Sequence, residues 1–430
     1  MFRVCVIGAG PAGLAMTRRL LQAGICNVTV YDRQSGIGGN WTWGDPVGHS
    51  SNYETVRSIS SRNKTAFEDM PFPPSVQFYP TRAELLHYLQ SYATKFELLK
   101  YIRLQTEVVS VTPSPAGGWV VKTSDEPGEH FDAVCVCNGH HWDPMLPDLP
   151  GNFSGTLLHS HSYKSSVQFA GQRVLVIGCG NSGADIAVDL ARRNAKVTLA
   201  VRRGYHVIPR ILFGMPSDVL YAGLRLCLPH SCSRRVAQIF LHVYHRILGL
   251  RGLPAPDHPL FATHPLINSE LLPCIRDGGI RVVGPIKRVM GQIVHFADDQ
   301  EAEVDTILAC TGFRISFPFL GPEVLGQSGE SILSQLLLRV VHKRYRGLYF
   351  VGLIQPSGSI WPIADLQARL VAAHMAGRLA LPEQGTSLLR GVCNRRDYVA
   401  SPRHLLEVDA EEYKREILGW LRCESSPQAE

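Results

Sequence analysis

An α/β fold is predicted, with two parallel-sheet units, the second inserted in the first and carrying a partly helical insertion of its own. Three observations support this. Two glycine turns of one pattern stand far apart in the chain, Gly8-Ala9-Gly10-Pro11-Ala12-Gly13 and Gly178-Cys179-Gly180-Asn181-Ser182-Gly183. Each follows a short apolar, β-branched run and opens an amphipathic helix, the strand–turn–helix context in which such glycines carry meaning. A Pro/Gly-rich passage from Pro144 to Gly155 then separates the first unit from the second.

The first unit begins with a strand over 3–7, a helix over 11–23 and a strand over 27–31 that ends at Tyr31-Asp32. Loop signals follow at Gly36, Gly38, Gly39, Asn40 and Trp41, then a Pro-rich turn at Pro71-Phe72-Pro73-Pro74. A helix over 81–95, strands near 105–112 and 118–123, and a buried strand at Ala133-Val134-Cys135-Val136-Cys137 complete it. The second unit repeats the opening: strand 173–177, helix 182–194, strand 196–201. Residues 205–265 break the alternation and are rich in Pro, Leu and His, so they are expected to shape a cleft. Strands near 281–283, 293–296 and 304–310 precede a strand at 347–352, a helix over 362–377 and a final amphipathic helix over 409–421. The expected division is 1–150 with 305–422, then 151–304, with 423–430 as a frayed tail.

Bulk properties narrow the function. The 430 residues suffice for two cores, and 45% hydrophobic with 19% charged residues is ordinary for a folded protein. A formal charge of +6, scattered and carried mainly by Arg, points to solvated surface and anion contacts, not to nucleic acid. The eleven cysteines contain no Cys-x-x-Cys pair, and Cys5, Cys135, Cys137 and Cys310 lie in apolar runs. With a strand beginning at Phe2, reduced buried thiols and a cytoplasmic location are expected. No metal is expected. The stretch Val236–Leu250 is too short to span a membrane and is broken by Gln238, His242, His245 and Arg246, so it reads as a core or cleft helix.

In each glycine turn, the first glycine permits the tight bend, the second lets a pyrophosphate approach and the third packs helix on strand. The helix then directs its positive end at the phosphates. Asp32 closes the second strand roughly 20 residues on, where an acid binds ribose hydroxyls. After the second turn that position holds Arg202-Arg203, which favours a 2′-phosphate and hence NADP over NAD. Two such sites in one chain suggest a flavoprotein reduced by a nicotinamide. A disulfide reductase shares that layout but needs a redox-active Cys pair.

Between the turns lies Phe153-x-Gly155-x-x-x-His159-x-x-x-Tyr163, and here the chain resembles the flavin-containing monooxygenase family. Gly38-Gly39-Asn40-Trp41, Ala309-Cys310-Thr311-Gly312-Phe313, Gly352-Leu353-Ile354-Gln355-Pro356 and Asp365-Leu366-Gln367-Ala368-Arg369 are similar to further family motifs in the right order. The related Baeyer–Villiger monooxygenases place Trp where Tyr163 stands.

The resemblance implies two Rossmann-like dinucleotide-binding domains. FAD would sit on Gly8, Ala9, Gly10, Pro11, Ala12, Gly13, Asp32, Gly39, Asn40 and Trp41. NADPH would sit on Gly178, Gly180, Asn181, Ser182, Gly183, Asp185, Arg202 and Arg203. Gln355 is placed against flavin or nicotinamide, and the helix after Trp361 under the flavin edge. The implied reaction is capture of O2 as a C4a-(hydro)peroxyflavin and transfer of one oxygen to the N or S of a small amine or sulfur compound. The flavin carries that chemistry, so no side-chain catalyst is assigned, and His159 reads as a hinge residue. A homodimer is compatible. One departure stands out. Many family members carry an Asn near the flavin, and Ile59 or Ser60 occupies its place here, with Asn63 further on. Ser60 or Ser61 is the replacement donor. The change keeps two alternatives open, a Baeyer–Villiger oxygenation and an uncoupled NADPH oxidase or non-oxygenating flavoprotein.

Overall fold

Val4–Ile7, which runs into the first glycine turn, lies inside a seven-stranded sheet. It pairs in parallel with Val28–Tyr31 on one side and Ala133–Val136 on the other. Every residue of Val4–Ile7 and of Ala133–Val136 is buried, the mark of a parallel sheet covered on both faces. Leu348–Phe350 extends the sheet in parallel beyond Ala133–Val136, and Ile102–Arg103 beyond Val28–Tyr31. The computed structural model describes residues 2–44, 48–326, 332–381 and 405–423. The expected tail, from 424 on, lies outside them.

A second sheet is parallel throughout, in the order Thr156–His159, Thr306–Ala309, Arg173–Ile177, Lys196–Ala200, Ile280–Val283. Thr306–Ala309 therefore belongs to the second unit, and the return to the first comes after it and not at 305. The sequence boundary falls short because a short apolar strand reads alike in either sheet. The two crossings between sheets run side by side, Asp143–Pro144 pairing antiparallel with Phe313–Arg314.

Helices occur close to their expected places. Thr81 and Glu84 form a reciprocal capping box that starts Arg82–Lys95, a device worth about 1 kcal/mol. Trp361–Met375 packs along Pro11–Gln22, and Arg19 grips the buried Asp365 across that contact at 2.7 and 2.5 Å. Residues 205–265 form helices Ser217–Cys227 and His230–Ile247 with short strands around them. The second of these helices turns Val236, Ala237, Phe240 and Leu241 to a cavity, as a cleft helix would. It leaves Ile239 and Ile247 exposed, so it is not a core helix. Among the described residues no helix is long and apolar enough to cross a membrane.

Candidate functional site

The two glycine turns are built alike. Gly8 and Gly178 take φ of +106° and +96°, in the left-handed region that favours glycine. A Cβ on Gly8 would stand 2.7 Å from the Cys137 carbonyl oxygen, and one on Gly178 would stand 2.8 Å from that of Cys310. On Gly13 it would meet the Gly8 oxygen at 1.8 Å, and on Gly183 the Gly178 oxygen at 1.9 Å. Cys137 and Cys310 thus hold corresponding positions, each just after the neighbouring strand of its sheet. Both helices, Pro11–Gln22 and Asn181–Arg192, begin at a glycine N-cap with no side-chain cap and no acid in the first turn. Helix-end N–H groups without a capping side chain suit an anion.

Around the first turn, Gly39 (φ +57°) backs onto Gly10, and a Cβ there would lie 2.9 Å from the Gly10 Cα. Asn40 fastens the next loop through its Oδ1, which accepts from the Ser51 N–H at 2.7 Å, and Trp41 meets Trp361 edge-on. Asp32 is buried, and its oxygens accept from the Ala9 N–H at 2.6 Å and the Gln34 N–H at 2.8 Å. It orders the turn itself, a role that its place at a strand end does not disclose. Ser60 and Ser61 are buried, and among the described residues the Ser61 Oγ has no hydrogen-bond partner. Gln355 Oε1 stands 3.3 Å from His140 Nε2. Burial pushes the His140 imidazole below the usual range, so it is neutral near pH 7.

Around the second turn, Ser182 and Arg202 are exposed and Arg203 lies over the Tyr205 ring. Gly204 abuts the Ala255 carbonyl. Asn181 and Asp185 are both engaged by other parts of the chain. The Asn181 side chain donates to the Pro265 carbonyl and accepts from the Ile267 N–H. Asp185 binds Arg210, Asn268 and Tyr53. Both hold the insertion, which nothing in the glycine pattern signals. At the end of Thr156–His159, His159 Nε2 lies 2.9 Å from the Gly312 carbonyl oxygen and its Nδ1 accepts from the His161 N–H, so it ties the turn after its own strand to the start of the crossing at 313–314. Burial lowers its pKa as well. Tyr163 is fully buried and donates to Asp189 at 2.5 Å.

A cavity of about 1380 Å³ opens between the insertion helices, the loop 357–359 with the start of the helix Trp361–Met375, and the helix Ala410–Leu421. Ile59, Ser60 and Asn63 reach it from the loop that departs from the family pattern. Ile208, Leu260, Phe261 and Ile267 give it apolar walls. Asp218 joins those walls and accepts from the Ser61 N–H at 2.7 Å, so the insertion holds the loop directly. Beside it Tyr79 is pushed up to about 12, by burial first and by the Asp218 charge second.

The model of the family described as flavin-binding monooxygenase-like matches residues 1–418. The chain belongs to that family. It is 33% identical to flavin-containing monooxygenase 5 of Rattus norvegicus, over 95% of this chain and 80% of that one. With flavin-containing monooxygenase 2 of Homo sapiens it shares 34% identity, over 90% and 76%. Among solved structures, S-allyl-L-cysteine S-oxygenase from Allium sativum superposes with a TM-score of 0.70, covering 99% of this chain and 90% of that one. Its 24% identity speaks for the fold alone. Membership makes this chain a monooxygenase, an oxidoreductase of a family that uses a flavin, acting on small molecules with O2.

Proposed function

We propose that the chain uses FAD and NADPH to place one oxygen atom of O2 on a nucleophilic nitrogen or sulfur of a small molecule, with NADP+ and water as the other products. The observation that carries this reading is the pair of turns built alike, each ending at an uncapped helix and each closed to any side chain at its third glycine. The residues present fit both cofactors. Gly8, Ala9, Gly10, Pro11, Ala12 and Gly13 with Gly39, Asn40 and Trp41 would hold the FAD pyrophosphate side, where Asp32 keeps the turn in shape. Ser60, Ser61 and Gln355 would face the ring, and the unpartnered Ser61 hydroxyl is available as a donor. Gly178, Gly180, Ser182 and Gly183 would hold the NADPH pyrophosphate, and Arg202 with Arg203 its 2′-phosphate.

Bound flavin supplies the electron transfer to O2 and the oxygen transfer. The chain's own residues bind, orient and exclude water. The cavity sets apolar walls at Ile208, Leu260, Phe261 and Ile267 beside charged groups such as Lys64, Asp218 and Arg225, which suits a small molecule with an apolar body and a polar end. A neutral amine or a sulfide offers the lone pair that takes up oxygen. The neutral His140 beside Gln355 puts no cation against that amide. Ile59 or Ser60 takes the place where other family members carry Asn, and both reach the cavity with Ser61 next in the chain, which supports a serine hydroxyl in place of the amide.

The test is a product assay with amines and sulfides under isotopically labelled O2. One labelled oxygen in the product for each NADPH consumed is expected. Stoichiometric H2O2 with every compound would replace this reading with that of an NADPH oxidase.

A further inference from the structure

Helix Asn181–Arg192 opens from the second glycine turn, and it carries two carboxylates one turn apart, Asp185 and Asp189. Asp185 is engaged from three separate parts of the chain. Arg210 Nη2 reaches both of its oxygens at 3.0 and 3.2 Å, Asn268 Nδ2 donates at 2.6 Å and the Tyr53 hydroxyl at 3.3 Å. The side chains of the ion pair are only 13% and 14% exposed. Two of these partners lead to the cavity. Arg210 follows Val207–Ile208, Asn268 follows Leu266–Ile267, and those two short strands pair with each other. Ile208 and Ile267 are cavity walls. The third partner leads to the first unit. The Tyr53 ring meets Tyr163 edge-on at 5.7 Å, Tyr163 is held by Asp189, and Glu54 N–H donates to the Lys164 carbonyl. Asn181, in the first turn of the same helix, fixes Pro265 and Ile267.

One helix therefore carries a phosphate turn at its start and holds the cavity wall by its side. We infer that Asp185 is a positioning residue that couples occupation of the second glycine turn to the arrangement of the cavity wall at Ile208 and Ile267, and does not itself touch the nucleotide. The inference rests on the reading that this turn takes NADP(H). A buried ion pair is weak evidence for stability, since apolar groups of equal size often serve as well. Its value is that it permits one arrangement: Arg210, Asn268 and Tyr53 all donate, and only an acceptor-only carboxylate answers all three. A ligand that orders the start of this helix restrains the wall through that carboxylate. By reciprocity, a molecule that orders the wall tightens NADP+ binding by the same factor.

The experiment uses the full-length, FAD-loaded protein and measures amide hydrogen exchange with and without saturating NADP+, with NADP+ affinity taken from calorimetry. In the unaltered protein, NADP+ is expected to slow exchange across 207–217 and 264–268. In Asp185→Asn, NADP+ is expected to bind within about threefold of the original affinity, while that protection falls roughly fivefold or more, the lower end of ordinary coupling. If Asp185→Asn does not fold, Arg210→Gln removes the same link from the other side and is expected to give the same loss. Undiminished protection in a folded variant overturns the inference and leaves Asp185 a packing residue. Loss of affinity by tenfold or more, with protection intact at saturation, overturns it in favour of direct nucleotide contact. No NADP+ binding by the unaltered protein overturns the cofactor reading and this inference with it.

Discussion

At Gly10 the backbone faces Gly39 across the first turn, and a Cβ built there lies 3.4 Å from the Gly39 Cα. One methyl is at the edge of what fits, and the branches of valine are beyond it. Gly10→Val is expected to give a folded but colourless protein, read as visible flavin absorbance per mole of protein after incubation with excess FAD. A fully yellow variant would refute the assignment of this turn to FAD. Arg202 and Arg203 permit a test of the other site, because among the described residues neither has an ion-pair partner and Arg202 is exposed. A charge-assisted bond to phosphate contributes about 1.5–3 kcal/mol, so Arg202→Asp with Arg203→Asp should raise the KM for NADPH by at least ~10-fold. The KM for NADH should hardly move. An equal rise for both would place the 2′-phosphate elsewhere.

At the level of elements, what could be read in advance divides by mechanism. Strand, turn and helix at 4–22 and 173–192 are local: β-branched runs, glycines at positions that only glycine can fill, and an amphipathic stretch. The bond from Asp32 to Ala9 and the contacts of Asn181 and Asp185 are not local, because a carboxylate or amide at a strand end or in a helix's first turns looks the same whether it will meet ribose or a polar group from a distant stretch. Thr306–Ala309 was ambiguous for the same reason, since its place in the second sheet is set by partners far back in the sequence. That strand is anchored by Asp305, which accepts from the Arg173 N–H at 2.8 Å and pairs with the Arg173 guanidinium at 2.5 Å. Those hydrogen bonds hold its carboxyl down to about 2. A folded-state pKa below the unfolded one stabilises above the unfolded value near 4, and the gain is lost as pH falls toward 2. Asp305→Asn should therefore lower the Tm near pH 7, with the gap to the parent closing as pH drops from about 4 to 2. A gap that does not change with pH would mean that the side chain acts by shape alone.

Across the whole molecule, the cavity exists because three remote stretches meet: the insertion, the loop after Gln355 and the helix Ala410–Leu421. One tie between the insertion and the start of that helix is Arg225 Nη1 on Asp409 Oδ2 at 3.3 Å, with side chains 20% and 14% exposed. Asp409 also caps its helix, accepting from the Glu411 and Glu412 N–H groups through the other oxygen. An Asp409→Asn change keeps that cap while discarding the charge, so Arg225→Gln, Asp409→Asn and the double variant form a clean cycle. Residues in such contact couple by about 0.5–3 kcal/mol, and the coupling here should appear in function more than in unfolding. On the proposed reading, the tie would help close a wall that keeps water from the reacting atoms. Each single variant should release more H2O2 per NADPH consumed, and the double variant no more than either alone, while the Tm shifts little. Additive H2O2 release, or a release that does not change in any of the three, would show that the wall stays closed without this pair and that water is excluded by the apolar lining.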